Sequence, residues 1–242
     1  MSHSIAQAQN LIPAYLEKLC EELKIWGQLV REQELLVDLV YFGGGTPTSL
    51  TAAQLEQVLT AVQENFDLSH LREYCVEAGR PDTITSEKLE TLRRFGVDRI
   101  SVNPQTMQDH VLETIGRKHT TAQTVEAFHM ARAAGFENIN MDLIAGLPDD
   151  TPEGFHDTLE QILALDPDSI TVHALTLKRA ANLFAEGEQQ YIIRWNKWCR
   201  RVCGGCRSTA MPRIICTGRR IRSTIRRMWA MPVQGKSRCT IF

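Results

Sequence analysis

Leu35-Leu36-Val37-Asp38-Leu39-Val40-Tyr41-Phe42-Gly43-Gly44-Gly45-Thr46-Pro47-Thr48 decides how this 242-residue chain folds. The run from Leu35 to Phe42 has the length and apolar content of a buried strand, and it stops abruptly at three glycines and a proline. Three consecutive glycines let the backbone turn sharply and approach a bound molecule to a distance that any Cβ would forbid. Glycines also serve as plain strand-to-loop punctuation, so the surrounding pattern has to decide between the two uses.

Outward from this point, helical and strand patterns alternate. Upstream, Leu11, Ile12, Tyr15, Leu16, Leu19, Leu23 and Trp26 recur at helical spacing across residues 9–30. Downstream, Thr51 with Gln54 three residues later has the form of a capping box, and Leu55, Val58, Leu59 and Val62 make that helix's inner face. Tyr74 to Glu77 reads as a short strand closed by Ala78-Gly79. Ser86 is the expected cap of a helix carrying Leu89, Leu92 and Phe95, which Gly96 stops. Strands over Val97 to Val102, Ile139 to Ile144 and Ser169 to Ala174 alternate with two helices. One spans residues 121–134 and ends at Gly135; the other runs from Thr151-Pro152-Glu153 to Leu165.

Five such units, at roughly 30-residue intervals, predict an α/β fold: a parallel sheet with crossover helices. A Rossmann-like open sheet and a TIM-like barrel satisfy the same periodicity. In both, ligands bind at the C-terminal ends of the strands. Gly43 to Thr46, Glu77, Gln105 and Asp142 all fall there.

The string Tyr41-Phe42-Gly43-Gly44-Gly45-Thr46-Pro47-Thr48 resembles the S-adenosylmethionine loop of radical SAM enzymes, in the branch of oxygen-independent coproporphyrinogen III oxidases and their relatives. The resemblance covers about residues 5–183. It extends to Val76-Glu77-Ala78-Gly79-Arg80-Pro81-Asp82, to Arg99-Ile100-Ser101-Val102-Asn103-Pro104-Gln105 and to Ile115-Gly116-Arg117-Lys118-His119. A further strong signature is Asn140-Met141-Asp142-Leu143-Ile144-Ala145-Gly146-Leu147-Pro148. Leu11-Ile12-Pro13-Ala14-Tyr15-Leu16 and Thr171-Val172-His173-Ala174-Leu175-Thr176-Leu177-Lys178-Arg179-Ala180 fit the HemZ-type coproporphyrinogen dehydrogenase branch best.

The resemblance implies a partial (β/α)6 TIM-like barrel, here without its first strand and cluster loop. It implies that the backbone of Gly43, Gly44, Gly45 and Thr46 binds the amino end of the methionine, with Glu77, Gln105, Arg117 and Asp142 as further cofactor-side residues. The residue types suit that work. A carboxylate such as Glu77 can accept paired hydrogen bonds from ligand hydroxyls or an ammonium. Asp142 lies inside an otherwise apolar strand and is costly to bury unpaired, so it needs donors or a ligand. His119 and His173 can act as acids or bases, but no partner is visible in the sequence and neither is given a role.

The net charge of −2 is divided unevenly. Residues 191–242 hold 11 Arg, 2 Lys and no acidic residue, a net +13, together with five of the seven cysteines. The first 190 residues hold 14 basic and 29 acidic side chains, a net −15. After Trp198 no helical or alternating apolar period is sustained. We therefore divide the chain into a radical SAM core fragment, residues 1–183, and an aberrant basic tail, residues 184–242, expected to be poorly ordered. Cys199, Cys203 and Cys206 have the spacing that can hold three irons of a [4Fe–4S] cluster. The family places that triplet before the glycine loop, so the one here is rejected as a chance motif and no metal ligand is assigned. Read one base out of register, Met228 to Pro232 can encode Val-Gly-Tyr-Ala, and Pro212 to Ile221 can encode a string resembling the C-terminal segment of the same branch. A frameshift near residues 184–192 accounts for the arginine excess and the missing acids; stop codons in the alternative frame would exclude it.

No apolar run approaches the roughly 18 residues of a membrane span, and Met1-Ser2-His3-Ser4 lacks a basic-then-apolar leader, so a cytoplasmic protein with no membrane partner is expected. Nucleic-acid binding by the basic tail is set aside, because no folded pattern carries it. For the intact protein the resemblance implies oxidative decarboxylation of coproporphyrinogen III propionates to vinyl groups in haem biosynthesis. The implied cofactors are S-adenosylmethionine and a [4Fe–4S] cluster, and the partners a tetrapyrrole substrate and an electron donor such as a flavodoxin or ferredoxin. The cofactor carries the hard chemistry, and the barrel supplies binding and orientation. Without cluster ligands, this chain is expected to be inactive alone. The alternative is a haem chaperone, the work of a similar branch, which binds haem without turning it over.

Overall fold

The computed structural model describes residues 9–175, 213–217 and 238–241. Helix α1 (Ile12–Glu32) follows a single 3-10 turn and leads into β1 (Leu36–Phe42). Thr51 then opens α2 (Ala52–Asn65) with both bonds of a capping box: its hydroxyl accepts from the Gln54 N–H, and the Gln54 side chain accepts from its own. After β2 (Glu73–Gly79) comes α3 (Ser86–Arg94). Its cap is Thr85 rather than the expected Ser86: the Thr85 backbone is extended and its hydroxyl accepts from the Lys88 N–H, while Ser86 is already helical. Both hydroxyls are competent caps, and the backbone conformation chooses between them.

Strand β3 (Arg99–Gln105) is followed by α4 (Asp109–Thr114), a short helix that the apolar pattern does not announce. Thr120 and Gln123 form a second capping box at α5 (Thr121–Ala133), which leads to β4 (Asn138–Ala145). Thr151 caps α6 (Pro152–Leu165), where Pro152 occupies a first-turn position that has no amide bond to lose. β5 (Ser169–Ala174) ends the series.

Strands β1 to β5 pair in sequential order and all in parallel, in a sheet that curls as a half-barrel. That settles the choice the periodicity leaves open. A doubly wound sheet reverses its strand order and buries apolar side chains on both faces beneath two layers of helices. Here one face is apolar and fully covered: Val40, Val76, Ile100, Val102, Ile139, Met141, Leu143 and Ile170 are at most 3% exposed. Of the residues between them, those toward the strand ends are polar and only partly covered, including Tyr41, Glu77, Asn103, Asp142, Thr171 and His173, while Cys75, Ser101 and Asn140 on the same side are buried. Strand alternation thus sends the apolar set outward to the helices and the polar set to the concave face.

Two more strands flank this set in parallel, β6 (Arg213–Thr217) beside β5 and β7 (Arg238–Ile241) beside β1. Both come from the region read as a poorly ordered tail. The rest of that region, the boundary at residues 183 and 184, and Cys199, Cys203 and Cys206 lie outside the described residues.

The core joins the outer sheet face to Leu55, Leu59, Leu89, Leu92, Phe128, Phe155 and Ile162 of the helices. Each such fully buried side chain stabilises the fold by about 1.5–3 kcal/mol. In α1 the helical spacing holds, and Leu16 is buried with Ile12, Leu19 and Leu23 partly covered. Leu16, Gly27 and Val30 face inward, while Leu11, Tyr15 and Trp26 are exposed. No helix among the described residues is long and apolar enough to cross a membrane.

Candidate functional site

The three glycines after β1 stand in three different surroundings. A Cβ on Gly43 would stand 2.3 Å from Cε1 of Tyr41, so the loop folds back over that ring only because Gly43 has no side chain. Gly44 has φ +98°, a conformation that L side chains rarely adopt. Gly45 has neither constraint: its φ is ordinary, and no described atom lies within 4 Å of a Cβ built on it. The loop is then fixed to the end of β2. The buried Thr48 hydroxyl donates to the Ala78 carbonyl, and the Lys88 ammonium donates to the carbonyls of Thr48 at 2.6 Å and Thr83 at 2.8 Å. A Cβ on Gly79, itself at φ +65°, would stand 3.1 Å from Thr46 Cγ2.

Two carboxylates occupy the concave face beside this loop. The Tyr41 hydroxyl donates to Glu77 Oε1. Burial, then this hydrogen bond and the charge of Glu77, push the Tyr41 phenol well above the usual tyrosine range, so it remains a protonated donor. Asp142 lies two strands away on β4. Its Oδ1 accepts from Asn140 Nδ2 at 2.6 Å, and its Oδ2 is 4.0 Å from His173 Nε2. The charge of Asp142 also reaches the Tyr41 phenol, as expected of groups that share one face.

Gln105 and Arg117 lie on and after β3, the strand between those of Glu77 and Asp142. Gln105 ends β3 buried and at φ +69°, next to an irregularity in the β3–β4 register. Holding a non-glycine residue there costs about 1–3 kcal/mol, a strain typical of ligand sites. Arg117 is partly buried, and no ion pair or hydrogen bond of its side chain is found among the described residues. Burial, reinforced by the neighbouring Arg80 charge, pulls its guanidinium below the usual arginine range. Arg80 is itself held by Asp82 through bonds of 3.0 and 2.5 Å. His119, 3% exposed, ties the Arg117 loop to β3: its Nε2 lies 3.2 Å from the Pro104 carbonyl. Burial pushes the imidazole below the usual histidine range, so the ring is neutral and Nε2–H is the donor.

The structure therefore brings Gly43, Gly44, Gly45, Thr46, Glu77 and Asp142 to one concave surface. Arg117 sits instead with Arg80 and Asp82 beyond the end of β2, linked to Gln105 through His119 and Pro104. Tyr41 and Asn140, given no role on sequence, hydrogen-bond to Glu77 and Asp142. For Asn140 the signal was present: it lies two residues before Asp142 and so shares its strand face.

The S-adenosylmethionine implied by the resemblance suits these residues. Open space at Gly45, carboxylates for an ammonium or hydroxyls, and an unpaired guanidinium for a carboxylate match its polar groups. A [4Fe–4S] cluster does not suit the described residues. Their free cysteines are Cys20 and the buried Cys75, whose thiol burial pushes up to about 12. No group of three or more His, Cys, Asp or Glu among the described residues could hold a metal ion.

The Radical SAM superfamily profile matches residues 13–162. The chain is 42% identical over 183 residues to the oxygen-independent coproporphyrinogen-III oxidase-like protein HemZ of Bacillus subtilis, a match covering 75% of this chain and 36% of that protein. It is 40% identical over 167 residues to the heme chaperone HemW of Lactococcus lactis, covering 69% of this chain and 42% of that one. The solved structure of coproporphyrinogen III oxidase (HemN) from Escherichia coli, a radical SAM enzyme, aligns with a TM-score of 0.65 at 27% identity. That alignment covers 81% of this chain and 47% of HemN. The chain thus spans less than half the length of these relatives. With a parallel half-barrel, a glycine loop at its first described strand and a match over most of its core, the chain belongs to the radical SAM superfamily.

Proposed function

We propose that this chain forms the S-adenosylmethionine-binding wall of a HemZ-type radical SAM protein, which in intact form oxidatively decarboxylates the propionates of a coproporphyrinogen-like tetrapyrrole. Gly45 is the observation that carries this reading. Nothing within the described fold, neither its φ nor a neighbour, requires glycine there, whereas a ligand approaching the backbone would. Glu77, aimed by Tyr41, and Asp142, aimed by Asn140, accept hydrogen bonds from the ligand's ammonium or hydroxyls. Arg117 offers a partly desolvated cation to its carboxylate, and Gln105 closes the strand end between them. When bound, S-adenosylmethionine supplies the one-electron chemistry of the superfamily; the residues here bind and orient it.

Titration calorimetry of the chain with S-adenosylmethionine, beside Gly45→Val, tests the reading. The valine meets open space in the free protein, so melting is unchanged, while affinity falls at least about tenfold, or 1.4 kcal/mol. Equal binding by a folded Gly45→Val protein would show that the ligand does not approach this backbone. The match to HemW supports a second reading, haem binding without turnover. Haem titration of the intact protein beside a turnover assay with coproporphyrinogen separates the two.

A further inference from the structure

We infer that Asn140 is a positioning residue which, held by Ser169 and Thr171 of the neighbouring strand, sets the rotation of the Asp142 carboxylate toward the ligand; the inference rests on the S-adenosylmethionine reading above. Asn140 is 3% exposed on the concave side of β4, two residues before Asp142. Register places Ser169 opposite Asn140 and Thr171 opposite Asp142. Both hydroxyls bond to one atom, Asn140 Oδ1: Ser169 Oγ at 2.8 Å and Thr171 Oγ1 at 3.0 Å.

Chemistry fixes which way the amide points. A hydroxyl can donate or accept, so Ser169 and Thr171 would tolerate either end of the amide. A carboxylate oxygen only accepts, and Asp142 Oδ1 lies 2.6 Å from the Asn140 side-chain terminus. Turning the amide over would set two oxygens against each other at that distance. The NH2 therefore faces Asp142, both hydroxyls donate to Oδ1, and every donor in the chain points toward the carboxylate. Bonds aligned in this way polarise one another and strengthen the last one.

The consequence falls on Asp142. With Oδ1 engaged by Asn140, the carboxylate cannot rotate freely, and Oδ2 is the oxygen it presents. Oδ2 lies on the side of His173, and the Asp142 side chain keeps 21% of its surface exposed. A ligand at the glycine loop thus meets an acceptor whose direction is set before it arrives, which removes an ordering cost from binding. A buried asparagine serving only its own hydrogen bonds would show no dependence on Asp142.

A double-mutant cycle on this chain tests the coupling, with S-adenosylmethionine affinity measured by calorimetry for wild type, N140A, D142A and N140A/D142A. We expect N140A to weaken binding about tenfold, the size of a lost bond to a charged group. In the D142A background the same change should alter affinity less than about twofold. Equal effects in both backgrounds, or wild-type binding by N140A, would overturn the inference. S169A/T171V supplies a second route should N140A fail to fold: it frees the amide without touching Asn140, and its loss of affinity should likewise vanish with D142A. Unchanged binding by D142A would instead overturn the placement of Asp142 at the cofactor. A ligand-free readout then still decides the inference. The Asn140 side-chain amide resonances in 1H–15N spectra should shift and exchange faster in D142A, and an unchanged signal would refute the bond.

Discussion

Replacing Gly27 by alanine puts two effects of opposite sign into one helix. Gly27 lies in the interior of α1, where alanine is favoured by about 1 kcal/mol on helix propensity. Against this, a Cβ at position 27 would stand 2.3 Å from the Asn65 carbonyl oxygen, 2.8 Å from Asn65 Cβ and 3.0 Å from the Asn65 carbonyl carbon. Two of those atoms are backbone, at the last residue of α2, so no side-chain rotation relieves the contact. The same carbonyl accepts from Arg31 Nη1 at 2.5 Å, which satisfies one of the free carbonyls at the end of α2. Separating the helices by the ~1 Å needed therefore adds overpacking strain of about 1–3 kcal/mol to the loss of a partner for that carbonyl, about 1 kcal/mol more. The net is a destabilisation of about 1–3 kcal/mol, or a fall in Tm of roughly 2–12 °C for a chain of this size. Thermal melts of wild type, Gly27→Ala and the exposed control Gln28→Ala, followed by circular dichroism, measure it. A Tm for Gly27→Ala at or above wild type would refute the α1–α2 contact.

Lys88→Met keeps the aliphatic stem but removes the ammonium that joins the carbonyls of Thr48 and Thr83. It should cost about 1–3 kcal/mol and speed hydrogen exchange in residues 46–50, with α5 unaffected; unchanged exchange there would show that the loop is held by other means. Asp150 is 1% exposed; its Oδ1 accepts from Gln108 Nε2 at 2.6 Å and from the Thr151 N–H at 2.8 Å, while its Oδ2 is buried without a partner. Burial raises its carboxyl above the ordinary aspartate value of 3.8. A raised folded-state value means that the protonated form favours the native state, so this contribution is complete below the unfolded value and is lost as pH rises through the folded one. Asp150→Asn should therefore gain in Tm relative to wild type at neutral pH, by roughly 2–4 °C, with the gap closing as pH falls toward 4. A gap that does not change with pH would refute the assignment.

The residues proposed for the site stand out in the sequence because their signals are local. The glycine triplet, the carboxylates at strand ends and the capping box of Thr51 involve residues within a few positions of one another. The donors that aim those carboxylates were not legible in the same way. Tyr41 reaches Glu77 across 36 positions, and Ser169 and Thr171 reach Asn140 across 29 and 31. Such pairs exist only once strand register sets them opposite one another. The misplaced cap at Ser86 has a different origin: two adjacent hydroxyls compete, and the entry angle of the chain selects Thr85.

The sequence by itself determined the alternation of strands and helices and the inner face of α2, and it pointed to the glycine loop as a place where a ligand can meet backbone. Hydrophobic period and capping chemistry act over one or two turns, and both can be read from neighbouring letters. Only the tertiary structure decided that the sheet is a half-barrel rather than a doubly wound layer, because that depends on strand order and on one face being left uncovered. It also turned Leu11, Tyr15 and Trp26 of α1 to the surface, by seating Gly27 against the end of α2. The same long-range packing gave Glu77 and Asp142 their fixed directions. A strand's alternation says which side a carboxylate is on; its neighbours across the sheet say where it points.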